Sequence, residues 1–305
     1  MAKFTIGIVG LGRMGSGIAQ RLLSAGHEVL GYDVDLNIRT QAVKQGVCAV
    51  ESIESLAEHA RIIFLLIPAG ELVDTVIATL RPKLHKGSII IDAGNSNYID
   101  SVRRHAALHE MGVVFMDCGT SGGLQGKDNG YCLMVGGDKN TFTALKPVWS
   151  AIAMEYGYAY MGGSGAGHYV KMVHNGIEYA LLQAYAEGFE LLKKGSFKDQ
   201  PLDIAAIANV WNHGSVIRSW ILELMHTTFI THGNEFDEIS GEIADSGTGR
   251  WAVEDAQKHH IPLDVIKKSL DIRLASQQDG GNYATKIVAL LRNTFGGHAF
   301  KIIKE

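Results

Sequence analysis

Phe4-Thr5-Ile6-Gly7-Ile8-Val9-Gly10-Leu11-Gly12-Arg13-Met14-Gly15 is the stretch that decides the fold. Its first six residues are an apolar run of strand length, and residues 15–24 then repeat their apolar positions at helical spacing. Between strand and helix stand three glycines in the pattern GxGxxG. The chemistry of that pattern belongs to the backbone. The first glycine makes a tight turn, the second lets a pyrophosphate approach the main chain, and the third lets helix and strand pack closely, with the anion at the positive helix N-terminus. Alone the motif is weak; directly after a strand and opening a helix it points to a dinucleotide site made by Gly10, Leu11, Gly12, Arg13, Met14 and Gly15. Asp33 follows the second apolar run, 28–32, where its carboxylate can accept from an adenosine ribose 2′-hydroxyl and would repel a 2′-phosphate, so NAD is expected over NADP. The competing account is that the glycines only make a turn and Asp33 caps a helix.

Outward from this unit, segments 4–9, 28–32, 62–67, 89–92, 113–117 and 131–135 read as strands, with helical spacing at 15–24, 72–80 and 101–111. Repeated strand and helix implies an α/β domain with a mostly parallel sheet. The pattern stops near Tyr160. After glycines at 162, 163, 165 and 167, a proline-free stretch to Lys194 reads as one long helix, with more helix at 202–211, 215–228, 250–258 and 263–276. The expected architecture is an α/β Rossmann-type dinucleotide-binding domain over 1–163, an all-α helical domain over 164–290 and a C-terminal tail over 291–305.

Composition narrows the partner. The 305 residues suit two domains, and 46% apolar with 20% charged residues excludes disorder as the main state. With 28 basic against 32 acidic groups and no long block of like charge, neither a nucleic-acid surface nor a polybasic membrane patch is expected; a small molecule is. Glycine is abundant, 36 residues against five prolines, which suits close backbone approaches more than linkers. Cys48, Cys118 and Cys132 form no CxxC, so a reducing, cytoplasmic compartment fits. Cys118 reads as a buried small hydrophobe and the four tryptophans as core. The N-terminus reads as a first strand and not as a signal peptide. His259 and His260 lack a partner at ligand spacing, so no metal is expected.

The long helix carries a polar stripe. With Lys171 at zero, His174 falls at about −60°, Asn175 at about +40°, Glu178 at about −20° and Tyr179 at about +80°. All share one face, bordered by Val170, Met172, Val173, Ile177 and Ala180, so a plainly solvated face does not account for them. A Lys171–Glu178 ion-pair ladder is the competing account. The two residues are about 10 Å apart along the axis, a span that sets an acid and a base at the two ends of a short sugar acid.

These residues also carry a family resemblance. Gly165-Ala166-Gly167 with Lys171 and Asn175 resembles the catalytic motif of the β-hydroxyacid dehydrogenase superfamily, and Lys171 through Tyr179 is similar to its 6-phosphogluconate dehydrogenase version. Ile91 through Ser96 resembles the loop carrying a substrate-binding asparagine, and Cys118 through Gly123 the serine-glycine-glycine substrate loop. Asp245 through Trp251 resembles the signature around the GTG turn, and Arg292 with His298 the C-terminal arginine and histidine. The chain resembles the short, single-helical-repeat, NAD-dependent form.

The resemblance implies oxidative decarboxylation of 6-phosphogluconate to ribulose 5-phosphate and carbon dioxide with reduction of NAD, in the cytoplasm, within the pentose phosphate pathway or gluconate utilisation. It implies that Lys171 takes the 3-hydroxyl proton and later returns one to the carbonyl oxygen, and that Glu178 protonates C1 of the enediol. Asn175 and His174 would orient hydroxyls. Asn95, also set beside the cofactor, would hold the carboxylate end with Ser121, Gly122 and Gly123. Tyr179, Thr248, Arg273, Arg292 and His298 would bind the phosphate. A homodimer or homotetramer built on the helical domain, with the tail contributing to a substrate site, is implied as well. Two departures stand out. The lysine that precedes the family's GTG turn is replaced by Gly247 or Ser246, and the NADP-binding Asn-Arg-Thr by Asp33-Val34-Asp35, whose carboxylates favour NAD. Two rivals remain: a dehydrogenase of a smaller unphosphorylated acid such as 3-hydroxyisobutyrate, and a noncatalytic nucleotide-sensing protein, which would be expected to lack Lys171 or Asn175.

Overall fold

The computed structural model describes residues 3–303, and the chain forms two compact units, Met1–Met172 and Val173–Glu305. The first holds eight strands: β1 (Thr5–Val9), β2 (Glu28–Tyr32), β3 (Cys48–Ala49), β4 (Ile62–Leu65), β5 (Ile89–Asp92), β6 (Val114–Ser121), β7 (Tyr131–Gly136) and β8 (Ala153–Gly162). Its helices are α1 (Arg13–Ser24), α2 (Leu36–Lys44), α3 (Ile53–His59), α4 (Glu71–Leu80), α5 (Tyr98–His109), α6 (Gly126–Asn129), α7 (Lys139–Ala144) and α8 (Lys146–Ile152). The strands make one sheet in the order β3-β2-β1-β4-β5-β6-β7-β8. It is parallel except where β7 runs against β6. Strand β1 pairs with β2 on one side and β4 on the other, which makes its C-terminal end the point where the connections reverse and a crevice opens.

Side-chain alternation fills both faces. Ile6, Ile8, Phe64 and Met116 enter one core, while Val9, Ile63, Leu65 and Phe115 enter the other. Burial on both sides explains why β4 reads as an unbroken apolar run.

Helix α9 (Ala166–Lys194) crosses the division between the units, which falls between Met172 and Val173 and not at the expected 163. The second unit continues with α10 (Ile204–Asn212), α11 (Trp220–His232), α12 (Thr248–Lys258), α13 (Asp264–Asp279) and α14 (Tyr283–Gly296). Leu182, Ala186 and Phe189 of α9 pack with Leu222 and Met225 of α11 and with Ala284, Ile287, Leu290 and Leu291 of α14. The described helices include none long and apolar enough to cross a membrane.

Several local expectations change. Strand β8 was not anticipated, and the run at 62–67 ends as a strand at Leu65. The strand expected at 113–117 extends to Ser121. The helix expected at 215–228 starts only at Trp220, because Ser219 takes its N-cap and accepts from Leu222 N at 3.1 Å. The tail expected from 291 is helical up to Gly296 and holds Arg292 in α14. That helix is buried nearly all round, so its sequence has little polar face to give it a helical period.

The start of α14 is a reciprocal cap: Asn282 Oδ1 accepts from Thr285 N at 3.0 Å and Thr285 Oγ1 accepts from Asn282 N at 2.7 Å. Asn282→Ala should cost about 1 kcal/mol, read as a lower denaturant midpoint with an unchanged slope.

Candidate active site

Gly10 closes β1 with φ of +93° and donates its N–H to Tyr32 O at 2.8 Å. A Cβ on Gly15 would lie 1.9 Å from Gly10 O, so only glycine lets α1 sit this close to the loop. Gly12 faces open space, and α1 begins there without a side-chain cap or an acidic residue in its first turn. Its first amides are therefore available to an anion, which fits the pyrophosphate of a dinucleotide. Arg13 is exposed at the same turn. Asp33 Oδ2 accepts from Leu11 N at 2.8 Å and its Oδ1 from Asp35 N at 3.0 Å, which ties the end of β2 to the glycine loop. Capping of α2 falls to Asp35, whose Oδ1 accepts from Asn37 N at 2.7 Å, so Asp33 is not a helix cap.

Further along the sheet, Asn95 is exposed in the loop after β5, and Ser121 ends β6. Gly122 and Gly123 follow in left-handed conformations, φ +121° and +53°, which shape the loop after β6. Cys118 is fully buried, and burial pushes its thiol up to about 12, which leaves it inert.

The start of α9 is built by the sheet. Asp117, wholly buried in β6, accepts from Gly165 N at 2.7 Å and His168 N at 2.9 Å, neutralising the positive end of the helix. A Cβ on Gly119 would meet Lys171 Cβ at 2.4 Å, and one on Gly167 would meet Met134 O at 2.4 Å. Lys171 is thus held by direct contact of its stem with β6, and it is 8% exposed. His168 is buried with Nδ1 2.7 Å from Ser101 Oγ. Sequence reasoning missed Asp117; a carboxylate inside an otherwise apolar strand was the available signal.

In the second unit the rest of the stripe joins the GTG turn. His174 Nδ1 lies 3.0 Å from Asn175 Oδ1 and 4.0 Å from Glu178 Oε2. Asn175 Nδ2 donates to Thr248 Oγ1 at 3.4 Å, Thr248 Oγ1 lies 3.1 Å from Ser246 Oγ, and Ser246 Oγ lies 3.3 Å from Tyr179 OH. Tyr179 OH also donates to Asp245 Oδ1 at 3.4 Å, which accepts from Gly247 N at 3.0 Å. Gly247 is left-handed, φ +86°, and a Cβ on Gly249 would strike the Tyr179 ring at 2.4 Å.

Two arginines complete this cluster. Arg273 of α13 lies with its guanidinium carbon 3.4 Å from the Tyr179 ring centre and is 3% exposed; Arg292 of α14 is 6% exposed. Among the described ion pairs neither takes part, and Arg273 Nη1 is buried without a hydrogen-bond partner. Burial lowers Arg273 to about 10, with a further push from the like charge of Arg292, while Tyr179, Glu178 and Asp245 oppose. Arg292 is lowered by burial in the same way. Two buried cations without an ion-pair partner among the described residues are suited to an anion. Both come from this chain. His298 is exposed beyond the helix, edge-on to Phe295 at 6.4 Å, and its backbone N–H donates to Arg292 O at 3.4 Å.

Comparison with known proteins fits both units. The NAD-binding domain of 6-phosphogluconate dehydrogenase matches residues 5–164, and the 6-phosphogluconate dehydrogenase C-terminal domain matches 167–294. The chain belongs to the 6-phosphogluconate dehydrogenase family. Its nucleotide unit is an NAD-binding domain, and the family is one of oxidoreductases. A Haloferax volcanii NAD(+)-dependent, decarboxylating 6-phosphogluconate dehydrogenase is 40% identical over 297 residues, 96% of this chain and 97% of that one. Plasmodium falciparum 6-phosphogluconate dehydrogenase superposes with a TM-score of 0.82 at 29% identity, over 90% of this chain and 62% of that longer one. Mycobacterium tuberculosis 3-hydroxyisobutyrate dehydrogenase, at 21% identity and a TM-score of 0.75 over 95% of this chain and 100% of that one, shares the fold.

Two substitutions test these geometries. Gly119→Ala forces a carbon into the Lys171 stem and should cut kcat by roughly 100-fold with NAD affinity retained, as titration of cofactor binding would show. Inorganic phosphate should raise the thermal midpoint of the native protein, whereas Arg273→Met should lose that shift without losing stability in phosphate-free buffer.

Proposed function

We propose that the chain is an NAD-dependent, decarboxylating 6-phosphogluconate dehydrogenase. The observation that carries this reading is the pair of buried arginines beside Tyr179, neither with an ion-pair partner among the described residues and Arg273 with Nη1 unpartnered, which calls for a phosphorylated substrate where a small hydroxyacid such as 3-hydroxyisobutyrate would bring no second anion to them. NAD is preferred over NADP because the Asp33 carboxylate would accept from a ribose 2′-hydroxyl and repel a 2′-phosphate, and no arginine stands at 34 or 35.

The bound nicotinamide supplies the hydride acceptor. Lys171 removes the proton from the substrate 3-hydroxyl and returns one to the carbonyl oxygen as the carboxylate leaves. Glu178, two helical turns further along α9, delivers a proton to C1 of the enediol. His174 and Asn175 orient the hydroxyls between them, Asn175 being steadied by Thr248. Asn95, Ser121 and the amides of Gly122 and Gly123 hold the carboxylate end. Tyr179, Arg273 and Arg292 take the phosphate, with the guanidinium planes suited to two-point contact with its oxygens. Thr248 and Ser246 add hydroxyl donors, and His298 adds an imidazole from beyond the end of α14. Subunits assemble as a homodimer or homotetramer.

The deciding assay is NADH formation with carbon dioxide trapping on 6-phosphogluconate beside gluconate and 3-hydroxyisobutyrate. Turnover confined to the phosphorylated acid is expected; equal rates on the unphosphorylated acids would overturn the reading. Lys171→Met should abolish oxidation with NAD binding intact, and Glu178→Gln should slow the proton delivery that follows decarboxylation, as substrate-solvent proton exchange would report.

A further inference from the structure

Beneath the loop that carries Asn95 lies a buried ionic network that the proposed chemistry does not use. Arg104, on α5, is 2% exposed and Asp92, the last residue of β5, is 1% exposed. Arg104 Nη1 donates to Asp92 Oδ2 at 3.3 Å, its Nε to Asp74 Oδ1 at 3.0 Å, and its Nη2 to Asp74 Oδ2 at 3.0 Å and Gly70 O at 2.9 Å. Asp74, on α4, is held down to about 2, chiefly by its hydrogen bonding to Arg104. Arg103 braces Asp74 from outside at 2.9 Å.

Asp92 in turn organises the loop. Its Oδ1 accepts from Gly94 N at 3.1 Å and its Oδ2 from Ser96 Oγ at 2.8 Å, so the residues on both sides of Asn95 hang from one carboxylate. Asp92, Ala93 and Ser96 are buried while Asn95 is exposed at the tip. A Cβ on Gly94 would lie 2.9 Å from Ile67 O, so this loop also packs backbone to backbone on the loop that follows β4. That second loop ends at Gly70, left-handed at φ +97°, whose carbonyl Arg104 holds. One guanidinium therefore anchors two consecutive loops at the C-terminal ends of β4 and β5, beside the crevice next to β1.

A buried ion pair is a poor way to gain stability, since apolar residues of similar volume do as well. It does fix direction: the fork of an arginine meets Asp74 at two oxygens and Gly70 and Asp92 at the remaining donors, which leaves the loops one arrangement. We propose that Asp92 and Arg104 are a positioning pair that sets the place of Asn95 at the substrate's carboxylate end. The proposal rests on the reading of Asn95 as a substrate ligand.

The test is a mutant cycle of Arg104→Lys and Asn95→Ala in the full chain, with Ser96→Ala as a milder second probe that removes only the hydroxyl on Asp92. Arg104→Lys keeps the charge but loses the fork, and should cost at least about 10-fold in kcat/KM, mostly through KM for the acid, with NAD affinity within about 3-fold. In the Asn95→Ala background the same change should cost little more, because both act through one group. Hydrogen exchange of the 94–97 amides should quicken in Arg104→Lys and in Ser96→Ala. Additive kinetic losses, or exchange unaltered in both variants, would overturn the proposal. If the native protein fails to oxidise 6-phosphogluconate, the functional reading falls, and hydrogen exchange alone then decides whether the network sets the loop.

Discussion

Between the first turn of α9 and the sheet there is no room for a side chain, and much of the first unit's chemistry depends on that closeness. Gly119, Gly136 and Gly167 each stand where a Cβ would overlap neighbouring backbone or the stem of Lys171. With main chain against main chain, the helix cannot slide or rotate without meeting the strands. Asp117 completes the seat by accepting two amides at the helix start, where its negative charge meets the positive end of the peptide dipoles. Lys171 lies one turn further along. The placement of its stem thus follows from three absent methyl groups and one buried carboxylate.

The three buried arginines of the chain that matter most show why burial alone does not identify a role. Arg104 is surrounded by Asp92, Asp74 and a carbonyl, so its charge is answered within the fold and its work is structural orientation. Arg273 and Arg292 are nearly as buried, yet no carboxylate pairs with either among the described residues, and each weakens the other's hold on its proton or is weakened by desolvation. Left in this state they oppose folding. A dianionic ligand, as in the proposed function, would reverse the sign of that contribution, so the cost in the free protein would be the counterpart of affinity in the complex.

Much of this was legible in the sequence, for reasons that differ by element. The β1 strand, its glycine loop and α1 could be read because each glycine answers a distinct steric demand, and the polar stripe of α9 because charge beside apolar residues violates simple amphipathicity. Asp33 was placed correctly at the end of β2, but its two backbone bonds to Leu11 and Asp35 could not be read, since they depend on how two strand ends meet. Helix α14 was invisible because an element buried all round has no polar face to mark its period. Arg292 was therefore read as part of a tail when it sits in the core of the second unit. Asp117 and Arg104 escaped for a related reason: their roles lie in partners 48 and 12 residues away, respectively, and no local pattern encodes them.

The missing lysine before the GTG turn now has a physical account. A neutral chain from Tyr179 through Ser246 and Thr248 to Asn175 occupies the turn, and Asp245 there is engaged by Tyr179, the amide of Gly247 and Arg250 at 3.2 Å. A lysine at 246 would bring a cation against that carboxylate and compete with those donors. Buried positive charge stands instead on α13 and α14, helices whose other side chains build the second unit's packed interior. On the proposed function, recognition of the anion would be carried by core elements and not by a flexible surface side chain, which would couple selectivity for a phosphate over a neutral group to the packing of α14. Ile287 and Leu291, buried on the same helix as Arg292, are the packing on which its placement depends.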